Sequence, residues 1–133
     1  VKDMISRLVS DFNYLKRIDV GVVSIMPNNY EIYPEDSFEN MQKFSNKNNF
    51  NFPYLLDSDQ LVAKKYGAVC TPDFFCFNNE NKLFYRGRLD DLKYKSKFKK
   101  REKSLINSFL KMIDSNTIIK NQKSSMGCSI KWK

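Results

Sequence analysis

At 133 residues the chain fits one domain of ordinary size, and 41% hydrophobic residues, with 11 Phe and 7 Tyr, is enough for a packed core and excludes global disorder. Twenty-three Lys and Arg against 15 Asp and Glu give a net charge of +8, so an acidic partner has to be considered. The absence of His removes imidazole bases, histidine metal ligands and Ser/His/Asp triads, and three Cys without a CxxC pair are too few for a disulfide framework or a zinc site. No run reaches the roughly 18–20 apolar residues of a membrane span, and the first helix candidate is amphipathic and charged throughout rather than a secretory signal, so a cytoplasmic location is expected. The chain starts on Val1 rather than Met, which points to processing or to a start inside a longer protein.

Met4, Ile5, Leu8, Val9, Phe12 and Leu15 recur at helical spacing and predict a helix to about Lys16. Val20–Met26 is a nearly continuous β-branched run, the pattern of a parallel strand buried on both faces. Asp36 with Glu39 three residues later resembles a capping box and predicts a second helix to about Asn48, with Phe38, Met41 and Phe44 as its stripe. The segment Phe52–Asp57 is expected to be extended, because a residue before proline avoids the helical region. A third, short helix follows from about Ser58 to Gly67, burying Leu61, Val62 and Tyr66 and closing on a left-handed glycine.

Asp73–Phe77 and Lys82–Gly87 flank Asn78–Asn81 and predict a β-hairpin. The last helix runs from about Glu102 to Ile113, with Leu105, Ile106, Phe109, Leu110 and Ile113 inward. Residues 115–133 form a polar tail with no periodicity to place it. Helices alternating with strands make this an α/β fold with a mixed sheet flanked by helices. No repeat or second-domain boundary interrupts it, so residues 1–133 read as a single domain. The basic stretch Lys93–Lys103 reads as a solvated loop and helix start, so neither nucleic acid nor a membrane is the expected partner.

Four segments in order, Pro34–Met41, Phe52–Phe75, Leu83–Asp91 and Gly127–Lys133, resemble the peroxiredoxin-like members of the alkyl hydroperoxide reductase/thiol-specific antioxidant superfamily, a branch of the thioredoxin fold. The resemblance implies a thiol-dependent oxidoreductase or antioxidant. Its partners would be a thiol reductant and a disulfide or peroxide substrate, and no cofactor is called for. Peroxide and disulfide stay open as substrates, as does the oligomeric state. A non-catalytic thioredoxin-fold binding module is the alternative.

The resemblance also implies that Thr71 and Pro72 form a cis-proline turn facing the redox cysteine, with the Thr71 backbone open to an extended thiol substrate. In this branch a Cys-x-x-Cys-Pro motif, preceded by a central strand, would end just before Val1. The catalytic cysteines are therefore expected upstream of Val1, the first strand is expected to be missing, and residues 1–133 alone are expected to be inactive. Removing a central strand leaves buried backbone groups that cost about 1–3 kcal/mol each, so a longer native polypeptide is expected.

Cys70 neighbours the turn, but adjacent side chains in an extended segment face opposite ways. It reads as a small buried hydrophobe with a redox role as the alternative. Cys76, between Phe75 and Phe77, belongs to the core. Cys128, in a Gly-Cys turn near the chain end, reads as structural tail or as an accessible resolving thiol. Arg86, Arg88, Asp90 and Asp91 read as strand-end and loop polar residues, with substrate-entry electrostatics as the alternative, and Trp132 as a packing anchor for the tail, with a partner contact as the alternative.

Overall fold

The computed structural model describes residues 4–92 and 100–133. The chain divides into two compact units, Val1–Val69 with Ser129–Lys133, and Cys70–Cys128. The basic residues 93–99 lie outside the described residues.

In the first unit, helix α1 (Ile5–Arg17) buries Leu8, Phe12 and Leu15, as its 3.6-residue period requires. Phe12 meets Phe52 edge-on at 5.0 Å, Phe52 stacks on Phe50 at 4.5 Å, and Phe50 contacts Phe44 and Tyr54. This aromatic chain ties α1 to residues 50–54. Burial pushes the Tyr54 hydroxyl up to about 12, with the Asp36 carboxylate adding to the shift.

Strands β1 (Ser24–Met26) and β2 (Tyr54–Leu56) pair in parallel, Ser24 opposite Tyr54. The expected strand over Val20–Met26 is therefore shorter, and it is not buried on both faces: Val23 is 52% exposed and Ile25 38%. The reason is pairing. Ser24 N–H donates to the Pro53 carbonyl and the Met26 carbonyl accepts from Asp57 N–H. Alternation then turns the backbone of Ile25 to the opposite edge. Among the described residues β2 is the only strand hydrogen-bonded to β1.

Helix α2 (Phe38–Lys47) starts one residue later than the capping-box pattern suggested. Its cap is Ser37, whose Oγ accepts from Asn40 N–H at 3.3 Å. Asp36 is engaged elsewhere: it ends a 3-10 turn, Pro34–Asp36, and accepts from Asn28 Nδ2 at 2.9 Å. Met41 is buried, whereas Phe38 is exposed. Helix α3 (Leu61–Tyr66) does end on Gly67 at φ 67°, the left-handed cap expected of glycine. Its inward residue is Ala63, while Leu61, Val62 and Tyr66 are exposed. The buried Asp57 carboxylate sets this rotation by accepting from Val62 and Ala63 N–H.

The last five residues belong to this unit and are not a loose tail. Ile130 is buried and donates its N–H to the Val69 carbonyl at 3.3 Å. Lys131 N–H donates to Asn28 Oδ1, and its carbonyl accepts from Asn29 N–H and Gln60 Nε2. Gln60, 1% exposed, also donates to the Pro27 carbonyl and accepts from Lys133 N–H. One buried amide thus satisfies three backbone groups, which avoids the cost of leaving them unmatched. Lys64 lies 5.8 Å from the Trp132 ring, giving the indole a partner within the unit.

In the second unit, strand β3 (Cys70–Thr71) precedes the hairpin of β4 (Phe74–Phe77) and β5 (Leu83–Gly87), which pair antiparallel with Phe75 opposite Arg86. Asn78 Oδ1 accepts from Glu80 and Lys82 N–H, and Asn81 adopts φ 59°, so the Asn-rich turn closes on its own side chains. Helix α4 (Ser104–Ser115) buries Leu105 and Ile106 and places Phe109 edge-on to Phe84 at 5.0 Å. Ile113, expected inward, is exposed in the last turn. Strand β6 (Cys128–Ser129) pairs with β3. Among the described residues parallel and antiparallel pairings both occur, in three two-stranded pairs rather than one continuous ladder.

Asp90 departs from its expected role as a solvated loop residue. It is buried against the Arg101 guanidinium at 3.0 Å, while Asp91 accepts from Glu102 N–H. Arg88 donates to Ser104 Oγ. These contacts bind the residues after β5 to the start of α4. No helix among the described residues is long and apolar enough to cross a membrane.

Candidate functional site

Pro72 and Asp73 join β3 to β4, and the Thr71–Pro72 peptide is cis. An extended segment, a fixed proline φ and a second strand produce a sharp corner from backbone alone. The Cys70 Sγ lies 3.5 Å from the Pro72 carbonyl. Burial pushes the Cys70 thiol up, the Asp73 carboxylate adds to that, and the Arg86 guanidinium opposes it. Cys70 is thus held toward its protonated, weakly nucleophilic form.

Asp73 and Arg86 form the charged wall of the corner. Arg86 Nη2 sits 3.0 Å from Asp73 Oδ2, and the Asp73 side chain is only 6% exposed. The guanidinium also lies 4.8 Å from the Phe75 ring centroid, its cross-strand partner. Arg86, expected as a strand-end residue, pairs with Asp73 within the hairpin unit. The pairing was encoded in the hairpin register, which puts Arg86 opposite Phe75, two residues beyond Asp73.

Cys76 is on the inner side of β4, since Phe74 and Cys76 are buried and Phe75 and Phe77 are not. Burial pushes its thiol up to about 12. The expectation that Cys76 is core holds. Cys128 is exposed and, like Cys70 and Cys76, is a free cysteine. Its strand pairs with β3, so Cys128 and the Thr71–Pro72 corner are brought together.

Gly127 was missed as a site residue. Its Cα closes on the Thr71 carbonyl so tightly that an added Cβ would stand 2.7 Å from the carbonyl carbon and 3.1 Å from Pro72 N. Only a residue without Cβ permits that approach. The Thr71 carbonyl, expected to be open to a substrate, is covered by the chain itself. The available signal was a glycine inside a polar tail, which marks close backbone contact as often as a turn.

Among the described residues no three His, Cys, Asp or Glu side chains gather into a metal-binding group. What the corner offers is backbone shape, one carboxylate–guanidinium pair and an accessible thiol.

The family model described as AhpC/TSA family matches residues 1–86. Among solved structures, a hypothetical protein of Sinorhizobium meliloti 1021 is similar, with a TM-score of 0.92 and 31% identity over 100% of this chain and 73% of that one. An uncharacterized conserved protein of Geobacillus kaustophilus is similar with a TM-score of 0.89 and 41% identity, over 100% of this chain and 70% of that one. No curated protein matches.

Proposed function

The chain belongs to the AhpC/TSA family, and from that premise we propose that it is the scaffold of a thiol-dependent oxidoreductase whose Thr71–Pro72 corner presents substrate to a thiolate supplied from outside residues 1–133. The observation that carries the proposal is the state of the chain's own thiols. Cys76 is buried with its thiol pushed up to about 12, and Cys70 is held up by burial and Asp73. Neither has the electropositive, accessible setting that makes a nucleophilic thiolate.

In this reading the thiolate sulfur attacks a peroxide oxygen, the O–O bond breaks, and the leaving alkoxide takes a proton, leaving a sulfenic acid. Exposed Cys128 then condenses with that sulfenic acid, releasing water and forming a disulfide. A dithiol reductant restores both thiols by exchange. With a disulfide substrate the first step is attack on sulfur with a thiolate leaving. Cys70 is the weaker candidate for the second thiol. Three free cysteines suit a reducing compartment, so the cytoplasmic location goes with this proposal. The alternative, a non-catalytic binding module, draws support from the covered Thr71 carbonyl.

The test uses the complete translation product of the gene. Its peroxide and disulfide turnover is measured alongside Cys70→Ser and Cys128→Ser variants. Turnover that survives Cys70→Ser and slows in Cys128→Ser supports the roles given. No turnover of either substrate class leaves the binding module as the better reading.

A further inference from the structure

An extended strand offers its backbone N–H and C=O groups to any segment that can align with them, so an open edge is a docking site for extended polypeptide. At β3 that edge is occupied by the chain's own C-terminal segment. We propose that Gly127–Cys128 is a built-in strap that keeps the Thr71 edge closed to extended polypeptide ligands, with Gly127 as the residue that sets this exclusion.

Two independent observations carry it. First, the Gly127 Cα is pressed against backbone, the Thr71 carbonyl and Pro72 N, rather than against a side chain that could swing aside. A second extended segment has no room where Gly127 already lies.

Second, the strap is fastened ahead of the contact, within the second unit. Gln122 Nε2 donates to the Phe84 carbonyl at 2.8 Å, and its Oε1 accepts from Arg86 N–H at 3.0 Å, so one side-chain amide pairs with β5 as a strand would. Lys123 accepts from Arg88 N–H at 2.9 Å, and Ser125 Oγ donates to the Gly87 carbonyl at 2.6 Å.

A ligand that must add as a strand meets an edge already filled from within the same unit. The proposal rests on reading Thr71–Pro72 as the substrate-facing corner, but its test is binding, so it stands or falls separately from any turnover.

The experiment titrates the 133-residue chain and its Gly127→Val variant with a blocked pentapeptide of alternating Val and Thr, following backbone amide shifts by NMR. The unsubstituted chain is expected to give no saturable shift at Cys70 or Thr71 at millimolar peptide. Gly127→Val, with Phe84 and Ile130 amides still dispersed as in the folded chain, is expected to bind at those amides at least about tenfold more tightly. Equal binding by both chains overturns the proposal, as does a folded variant that still refuses the peptide. Gly127→Ala replaces the variant if valine prevents folding. If neither folds, the unsubstituted chain decides alone: saturable shifts at Thr71 overturn the strap, and their absence upholds it.

Discussion

The two strand edges of β1 and β5 are treated in opposite ways. Along β5 the chain spends Gln122, Lys123 and Ser125 to occupy backbone groups that would otherwise face outward. Inside the same hairpin Cys76, Phe84 and Tyr85 are all nearly inaccessible. Beside β1, Val23, Ile25 and Leu55 stay well exposed, although their β-branched and aliphatic run reads as interior. Apolar sequence alone therefore does not decide burial. What decides it is whether another segment arrives to cover the edge and the face.

The largest expected effect lies on the covered side. Phe84→Ala removes a buried ring that packs on Phe109, and should cost about 3–5 kcal/mol in denaturant unfolding. A loss below about 1 kcal/mol would mean that the hairpin core is looser than its burial implies. Next comes Gln60→Ala, which leaves the Pro27 and Lys131 carbonyls and Lys133 N–H without their amide partner; about 1–3 kcal/mol should be lost. Gln60→Glu separates packing from bonding, because a carboxylate keeps the acceptor but cannot donate.

Alkaline titration sharpens the contrast further. Burial raises the Cys76 thiol from its ordinary 9.0 to about 12, and the Tyr85 hydroxyl from 10.0 to about 12. A raised acid holds its proton in the folded state after the unfolded chain has released it. Stability should therefore be flat below pH 9, fall as the pH rises from about 9 toward 12, and fall less steeply in Cys76→Val. A profile unchanged by Cys76→Val would contradict the assignment. The smallest effect belongs to the open side: Ile25→Thr should shift stability by no more than about 0.5 kcal/mol in the 133-residue chain. A larger loss would show that β1 is covered after all.

Much of the element order was legible in the sequence because it depends on local physics. The period of α1, the glycine cap of α3 and the Asn-rich hairpin turn are each set by a few neighbouring residues. The errors arose where distant segments intervene. Asp36 lost its capping role to Asn28, and Leu61, Val62 and Tyr66 were turned outward by the Asp57 cap on α3. Asp90 found Arg101 and became buried. The candidate site was half visible. The cis bond at Thr71–Pro72 was expected from motif order, and Cys70 and Cys128 were weighed for their positions alone, but Gly127 and Asp73 make contacts that no periodicity carries.

The most direct check on the functional reading is hydroperoxide consumption by residues 1–133 alone, with a dithiol reductant in excess. The expected rate is no faster than that of free cysteine at the same thiol concentration, because burial pushes the Cys70 and Cys76 thiols up and Cys128 is proposed only as the second thiol. Rapid catalytic turnover by this chain that disappears in Cys128→Ser or Cys70→Ser would contradict it, and would move the reacting thiol into the corner itself.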